Sequence, residues 1–347
     1  MDITVVNKVC TIKNAVDVMI KERNQSEINT PWIKNSVLWS TDTVEAGRHA
    51  FLEHFNEEEL YKIRLYAGYV TGMGIGTPSP KDAITDTWKF YTGDIPTDFW
   101  VSEPTILGEE SLGVLINGKL INYDYLRYQA CITNLYLQGV FNDNIQHVIM
   151  EIGVGSGGLA YSFEQLPVQF TYILMDIPES LMLAAAYLAV NSHKRIYLYD
   201  PETFNAQFIK TEIYNYDFVL LPNYVLPLLY ELEEITLLLN QASFQEMTNL
   251  QLDTYLDFAV SKVSGFIYSD NVDRHAGNKE LTYSISESLN TRFKLLPSIN
   301  EYNSLLIAAT VVGKQYLGIP FGGNYNPGTS IRLYDRRIIV TPSSLSF

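Results

Sequence analysis

A run of glycines follows an apolar stretch near the middle of the chain. Residues 146–152 are mostly apolar and partly β-branched, as in a buried parallel strand. Gly153, Gly155 and Gly157 then come at alternate positions. Glycines at this spacing let the backbone turn sharply and approach a bound molecule where any Cβ would collide. Since the next residues can start a helix whose N–H groups face that molecule, the sequence predicts a ligand-binding loop between a strand and a helix.

Two carboxylates accompany this loop. Glu151 stands two positions before Gly153, where it would suit an amino group and would repel a pyrophosphate. Asp176 ends a second apolar run about twenty residues after the loop, where doubly wound α/β folds place the acid that binds ribose hydroxyls. The glycine spacing also differs from the G-x-G-x-x-G of dinucleotide-binding loops. A nicotinamide cofactor is therefore disfavoured.

The loop and its two acids resemble those of the class I S-adenosylmethionine-dependent methyltransferases. This resemblance implies S-adenosylmethionine as the cofactor and S-adenosylhomocysteine as the product. The carboxylate at position 151 would bind the amino group of the methionine tail, and that at position 176 the ribose. The residues predicted to bind the cofactor are Glu151, Gly153, Gly155, Gly157, Asp176, Ile177 and Asn240.

Further segments resemble the bacterial family of proteins provisionally assigned as sugar O-methyltransferases. They are the Asp-Ile-Pro-Glu sequence at 176–179 with the Leu-rich helix after it, and Ser-Phe-Gln-Glu-Met at 243–247. Upstream, Ser-Glu-Pro at 102–104 and the segment 116–127 resemble the entry to the fold in that family. The similarity spans roughly residues 103–271. It implies transfer of a methyl group to a hydroxyl of a sugar or sugar-bearing metabolite.

Candidate catalytic residues follow the strands predicted at 235–239 and 265–268. Transfer to a hydroxyl requires a base for its proton, and His275 belongs to the residue type that titrates near neutral pH. Glu246 would serve if burial raised its pKa, and Asp270 is a third candidate. The residues predicted to bind the acceptor are Gln245, Asp270 and Asn271.

Other functions are compatible with the same loop. The acceptor could be an amine or a carboxylate of a natural-product pathway. The fold could also bind S-adenosylmethionine without catalysis, as a scaffold or regulatory subunit, although intact Glu151 and Asp176 argue against a degenerate site. The Leu-Pro-Asn-Tyr sequence at 221–224 only half resembles the Asn/Asp-Pro-Pro-Tyr of nucleobase amine methylases. An amine of a nucleobase is therefore a less favoured acceptor.

The composition of the whole chain narrows its partners. The formal net charge of the 347 residues is −15, which argues against a nucleic-acid partner because tracking a phosphate backbone requires Lys and Arg. A small-molecule acceptor fits better. Neither Cys10 nor Cys131 lies in a metal-binding spacing, nor do the histidines, so no metal site is predicted from spacing; a divalent metal such as Mg²⁺, held by scattered carboxylates, stays an open alternative. Reduced thiols in a cytoplasmic protein are expected. No apolar run reaches the roughly 18 residues of a membrane span.

The chain is predicted to have two parts. Residues 1–139 are interpreted as a mainly helical segment that forms a lid or substrate wall, and a homodimer contact through this segment is a further hypothesis. Residues 140–347 are interpreted as the S-adenosylmethionine-binding domain. Strands and helices alternate there, which predicts an α/β fold with a mostly parallel sheet. The resemblance to the class I methyltransferases implies a Rossmann-like sheet of seven strands.

Several local signals refine this division. Asn122 is predicted to cap a helix that ends near Gly139, and a hairpin is predicted to turn at Asn117-Gly118. Residues 195–199 fit either an extra strand or a replacement for the third. A late strand is predicted at 304–312.

Overall fold

The fold described here is that of a computed structural model of the chain. The described residues are 5–26, 30–33, 56, 81–104, 113–142, 145–271, 273, 277–296 and 330–335. The predicted strand at 304–312 and His275 lie outside them. Among the described helices, none has both the length and the apolar character that crossing a membrane requires.

The described strands form a small hairpin and one large sheet. The hairpin pairs β1 (Val114–Ile116) with β2 (Lys119–Ile121). The strands of the large sheet are β3 (Gln146–Ile152), β4 (Gln169–Asp176), β5 (Ile196–Leu198), β6 (Phe218–Pro222), β7 (Ile235–Gln241), β8 (Val263–Asn271), β9 (Lys294–Leu295) and β10 (Ser330–Asp335). Their spatial order is β5-β6-β4-β3-β7-β8-β10-β9. β5, β6, β4, β3, β7 and β8 are parallel to one another, whereas β10 runs antiparallel to β8 and β9.

The helices connect and cover these strands. Their start signals are local: the Asn122 side chain accepts the N–H of Tyr125, and Thr248 and Gln251 form a capping box. The helices are α1 (Val5–Ser26), α2 (Lys81–Thr92), α3 (Tyr123–Leu137), α4 (Gly158–Glu164), α5 (Pro178–Asn191), α6 (Asn249–Lys262) and α7 (Ile285–Asn290).

The mostly parallel α/β sheet predicted from the sequence is confirmed, but its strand count differs. The described residues contribute eight strands to it rather than seven. The run at 195–199 forms β5 as an additional strand, and β9 is too short to give an alternation signal. The cap at Asn122 is confirmed, as is the turn at Asn117-Gly118, where both residues have positive φ, 50° and 77°.

The strand order reverses at β3, and this determines where a ligand can bind. In the sheet, β4, β6 and β5 lie on one side of β3, and β7 and β8 lie on the other side. Open α/β sheets bind ligands in the crevice outside the carboxyl ends of the strands at such a reversal. The glycine loop follows β3, and Asn240 lies near the end of β7. Both therefore lie at this crevice.

A continuous apolar core holds the sheet and the N-terminal helix together. The central strands are buried almost throughout, as expected for parallel strands covered on both faces. Val9, Val16 and Met19 of α1 belong to the same buried cluster as the sheet residues. A second cluster joins α2, the hairpin and α3 through Trp88, Tyr91 and neighbouring residues.

Polar contacts fix the end of α1 beside the strand ends. Nη1 of Arg23 donates to both carboxylate oxygens of Glu179, at 2.8 and 2.7 Å, and the two side chains are 7% and 2% exposed. The hydroxyls of Tyr199 and Tyr224 both donate to Oε2 of Glu22 at 2.9 Å. Because Glu179 lies in the first turn of α5, just after Asp176, α1 is anchored next to that carboxylate.

We expect the substitution Glu179→Gln to destabilise the protein by about 2 kcal/mol. The amide would retain an acceptor for Arg23 but would remove the negative charge from a buried, hydrogen-bonded ion pair. Urea unfolding gives the free energy directly. Glu231→Gln is the matched control, because the Lys210–Glu231 pair is exposed on both sides and such pairs contribute little. Equal unfolding curves for Glu179→Gln and the control would contradict this prediction.

Candidate functional site

The glycine loop adopts a backbone that requires glycine at three positions. Gly153, Gly155 and Gly157 have φ values of 78°, 54° and 79°, in the left-handed region that residues with a Cβ rarely adopt. Gly157 is also the N-cap of α4. The loop is therefore held in one specific turn between β3 and α4.

Gly153 has a second requirement, which is space. A Cβ added there would overlap Oγ and Cβ of Ser243, which lies in the turn after β7. The loop thus packs directly against the neighbouring strand's loop at the crevice. The sequence alone gave no indication of this contact, because the two residues are far apart in the chain.

Asp176 connects the loop to the end of β4. Its Oδ2 accepts the N–H of Gly155 at 3.0 Å, and its Oδ1 accepts the N–H of Ile177 at 2.7 Å. The side chain is only partly buried, and a carboxylate can accept about four hydrogen bonds in total. The structure therefore brings Asp176 to the glycine loop with part of its side chain exposed, and its predicted contact with the ribose stays a prediction.

Glu151 lies deeper than the sequence implied. It is 3% exposed, and the Tyr172 hydroxyl donates to its Oε2 at 2.7 Å. Burial raises the pKa of Glu151 to about 8; the hydrogen bond from Tyr172 opposes this shift, the charge of Asp176 adds to it, and that of Arg127 opposes it. At neutral pH this carboxyl is mostly protonated, which the sequence did not indicate.

We expect Glu151→Gln to remove a pH dependence of stability. The pKa of Glu151 is about 8 in the folded protein, whereas its ordinary value is 4.5. At a pH between these two pKa values, the folded protein therefore holds a proton that the unfolded chain has lost. Wild-type stability then decreases as the pH rises through this interval. The variant lacks this proton and should become the more stable protein near pH 9, by a few kcal/mol at most.

Urea unfolding across this pH range measures the effect. Glu234→Gln removes an exposed carboxylate and should follow the wild-type pH curve. Parallel curves for wild type and Glu151→Gln would mean that Glu151 is ionised in the folded protein, contrary to the prediction.

The polar side chains after β7 and β8 form a buried network. Asn240 is fully buried; its Nδ2 donates to the Ile152 carbonyl at 2.7 Å, and its Oδ1 accepts from Phe244 N at 3.1 Å and Asn271 Nδ2 at 2.8 Å. Asn271 is 5% exposed and accepts the backbone N–H of Gln245 at 3.3 Å. The amides of Asn240 and Asn271 thus bond to loop backbone and to each other, and their predicted contacts with cofactor or acceptor stay predictions. Gln245 is also buried.

The remaining candidates differ in their environment. Asp270 is buried and forms an ion pair with Arg127, whose Nε donates to Oδ2 at 3.0 Å while Nη2 donates to the Asp270 carbonyl at 3.2 Å. Glu246 is partly buried in a short helical turn after β7, so it lies at the same edge. His275 lies outside the described residues, and its predicted role as a base stays a prediction.

Helix α3 brings residues to this edge that the sequence analysis missed. Arg127 reaches Asp270 at the end of β8, while a Cβ added to Gly158 would lie 2.7 Å from Cε2 of Tyr128. α3 therefore extends from α4 to β8 across the crevice. The sequence does contain one signal for this, which is the charged Arg127 within a mostly apolar helix. Charged residues are rarely buried unless they are paired, so a buried Arg127 would require an acidic partner.

Within the described part of the chain, the acidic residues do not gather into a metal-binding arrangement. No group of three or more His, Cys, Asp or Glu side chains there could hold a metal ion.

Comparison with known proteins gives structural similarity alone. No protein-family model matches the chain, and no curated protein matches its sequence.

The solved structures that resemble the chain include several methyltransferases. One is a provisionally assigned RNA methyltransferase from Pyrococcus horikoshii, with 13% identity, 56% of this chain and 74% of that chain covered, and a TM-score of 0.29. Another is a provisional O-methyltransferase from Klebsiella pneumoniae, with 11% identity, 75% and 90% covered, and a TM-score of 0.29. A third is a provisional S-adenosyl-L-methionine-dependent methyltransferase from Methanococcus maripaludis, with 13% identity, 64% and 96% covered, and a TM-score of 0.27. Identities and TM-scores of this size do not define an acceptor.

Proposed function

We propose that the protein is an S-adenosylmethionine-dependent methyltransferase that transfers a methyl group to a hydroxyl of a sugar or sugar-bearing metabolite. The observation that carries this proposal is the bond between Asp176 and Gly155 at the strand-order reversal. It places a partly exposed carboxylate against a loop of left-handed glycines. This combination suits a ribose and a closely approaching ligand.

The residues present fit this cofactor by their chemistry. The loop from Gly153 to Gly158 contains no Lys or Arg, and the nearby carboxyls are those of Glu151 and Asp176. A sulfonium carries positive charge, so the carboxylate of Asp176 favours it, whereas this carboxylate would repel a pyrophosphate. Asp176 and Ile177 would hold the adenosine. Glu151, which is mostly protonated at neutral pH, would ionise as it binds the amino group, because a nearby cation favours the carboxylate.

S-adenosylmethionine supplies, when bound, an electrophilic methyl group whose transfer to oxygen leaves a thioether. The protein's task is to align the acceptor hydroxyl with that methyl group and to take up the hydroxyl proton. Alignment of this kind can contribute roughly 7–11 kcal/mol. Glu246 and His275 are the proposed bases. Glu246 lies at the edge of β7, where the acceptor has to approach.

The N-terminal segment is proposed to act as the lid of this site. Trp32 packs edge-on against Tyr255, with ring centroids 5.9 Å apart and planes at 82°. Burial raises the pKa of Tyr255, and the charge of Asp176 adds to that effect, so this aromatic pair lies near the ribose-binding carboxylate. Together with the anchored end of α1, this favours a segment that covers the cofactor. A homodimer and a cytoplasmic location remain predictions.

A small-molecule acceptor is favoured over RNA. The net charge of −15 opposes a phosphate backbone. An amine or carboxylate acceptor, or binding without catalysis, are the alternatives that the experiment has to separate.

The test is methyl transfer by the full chain from S-adenosylmethionine labelled in its methyl group. A panel of free sugars, methyl glycosides, amines, carboxylic acids and RNA serves as acceptors. Label in an alkali-stable ether of a sugar supports the proposal. Label in an amine, an ester or RNA changes the acceptor class, and calorimetric binding of the cofactor without transfer to any acceptor would favour the non-catalytic alternative.

A further inference from the structure

The ends of β7 and β8 present unused hydrogen-bond donors on one face of the sheet. Gln241 and Asp270 are register partners, so their side chains emerge on the same face, as does that of Tyr268. Gln241 is 9% exposed, and neither its Nε2 nor the hydroxyl of the neighbouring Tyr268 makes a hydrogen bond of good geometry with the described residues, although the two groups lie within reach of each other and Tyr268 lies within reach of Cys131. Buried donors without partners are rare in folded proteins, which points to a ligand here.

The backbone after Gln241 is fixed in a strained conformation. Ala242 has a φ of 55°, which residues with a Cβ seldom adopt, and its N–H donates to the Asp270 carbonyl at 2.8 Å. Strain of this kind persists where the surroundings impose it, and it is concentrated at functional sites. It holds the Gln241 amide at the edge of the crevice.

Arg127 contributes further donors above the same edge. Its Nε and Nη2 are bonded to Asp270, but its Nη1 makes no hydrogen bond with the described residues. Two of the five guanidinium N–H groups are thus used. The side chain is 16% exposed, so the remaining N–H groups can reach a ligand. The charge of Arg127 also acts on Glu151, which places the guanidinium near the cofactor loop.

The chemistry of this set selects its ligand. The free groups of Arg127 and Gln241 are donors, and Oδ2 and the backbone carbonyl of Asp270 already accept from Arg127. A carboxylate offers two acceptor oxygens and one negative charge, and it is the group that a guanidinium binds best. A neutral hydroxyl would leave most of these donors unsatisfied.

We propose that Arg127 and Gln241 form a carboxylate-binding subsite at the carboxyl edge of β7 and β8. The inference rests on the proposed function, because two carboxylates would then come to this edge. One belongs to the methionine part of the cofactor, and the other would belong to an acidic sugar acceptor.

Two conservative variants test the subsite. Gln241→Met keeps the side-chain length but removes the Nε2 donor. Arg127→Lys keeps a cation beside Asp270 but removes the fork of donors. An unfolding midpoint equal to that of the wild type would establish that a variant folds. If only one of the two variants folds, that variant alone is enough for the test.

Calorimetry on the full chain measures the binding of probes in pairs. In each pair, one probe has a carboxylate and the other lacks it. S-adenosylhomocysteine is compared with 5′-methylthioadenosine, and D-glucuronate is compared with methyl β-D-glucoside in the presence of S-adenosylhomocysteine. In each variant we expect about tenfold weaker binding of one carboxylate probe and unchanged binding of its partner probe. A loss confined to S-adenosylhomocysteine assigns the subsite to the cofactor, and a loss confined to glucuronate assigns it to the acceptor.

Two results would overturn the inference, and they are distinguishable. If wild type binds S-adenosylhomocysteine and both variants bind both carboxylate probes as wild type does, the subsite is wrong while the proposed function stands. If wild type does not bind S-adenosylhomocysteine, the proposed function itself fails and the inference fails with it.

Discussion

Replacing Asp176 by Ala should weaken binding of S-adenosylhomocysteine roughly 100-fold or more. Each charged hydrogen bond to a ribose hydroxyl contributes roughly 1.5–3 kcal/mol, and two are lost. The same substitution removes the acceptor that holds Gly155 at 3.0 Å, so the loop also loses its fixed turn. Isothermal titration calorimetry with the full chain measures the affinity.

Two further variants separate the causes of this loss. Asp176→Asn keeps an oxygen for the Gly155 N–H but removes the charge, so it should bind with intermediate affinity. Asp217→Asn is the matched control, because Asp217 also lies at a strand terminus but pairs with the exposed Arg195, and binding should be unchanged. Wild-type affinity in Asp176→Ala would show that this carboxylate does not contact the ribose.

Replacing Gly153 by Ala should destabilise the protein by about 2–5 kcal/mol. The left-handed backbone at a φ of 78° costs an L-residue roughly 1–2 kcal/mol, and overpacking against Ser243 adds about 1–3 kcal/mol. Cofactor binding should fall with the loop geometry. Urea unfolding and calorimetry measure the two effects.

The double variant Gly153→Ala with Ser243→Gly isolates the steric part. It removes the Cβ and Oγ that the new methyl group would overlap, but it leaves the backbone strain. We expect it to regain part of the lost stability. If the double variant is no more stable than the single one, the close approach of the two loops is not what requires glycine at position 153.

The order of strands and helices could be predicted because its causes are local. The apolar runs that form β3 and β4, the cap at Asn122 and the turn at Asn117-Gly118 each depend on residues adjacent in sequence. The spacing between the glycine loop and Asp176 predicted that both would bind one cofactor, and in the structure Asp176 accepts the N–H of Gly155 in that loop. Very short strands such as β9 carry too few residues for a periodic signal.

The rest of the site depends on contacts between distant segments. Nothing near Asn240 in sequence indicates that its amide would be used by Ile152 and Asn271. The ion pair of Arg127 with Asp270 joins residues separated by 143 positions. The raised pKa of Glu151 follows from burial, which is decided only when α3 packs on the sheet. These features require the folded arrangement.

The most direct measurement is a crystal structure of the full chain with S-adenosylhomocysteine. The proposed function predicts the ribose hydroxyls against Asp176, the adenosyl group over the loop that follows β3, and the sulfur turned toward the ends of β7 and β8. A ligand bound at another surface, or no bound ligand at saturating concentration, would contradict it.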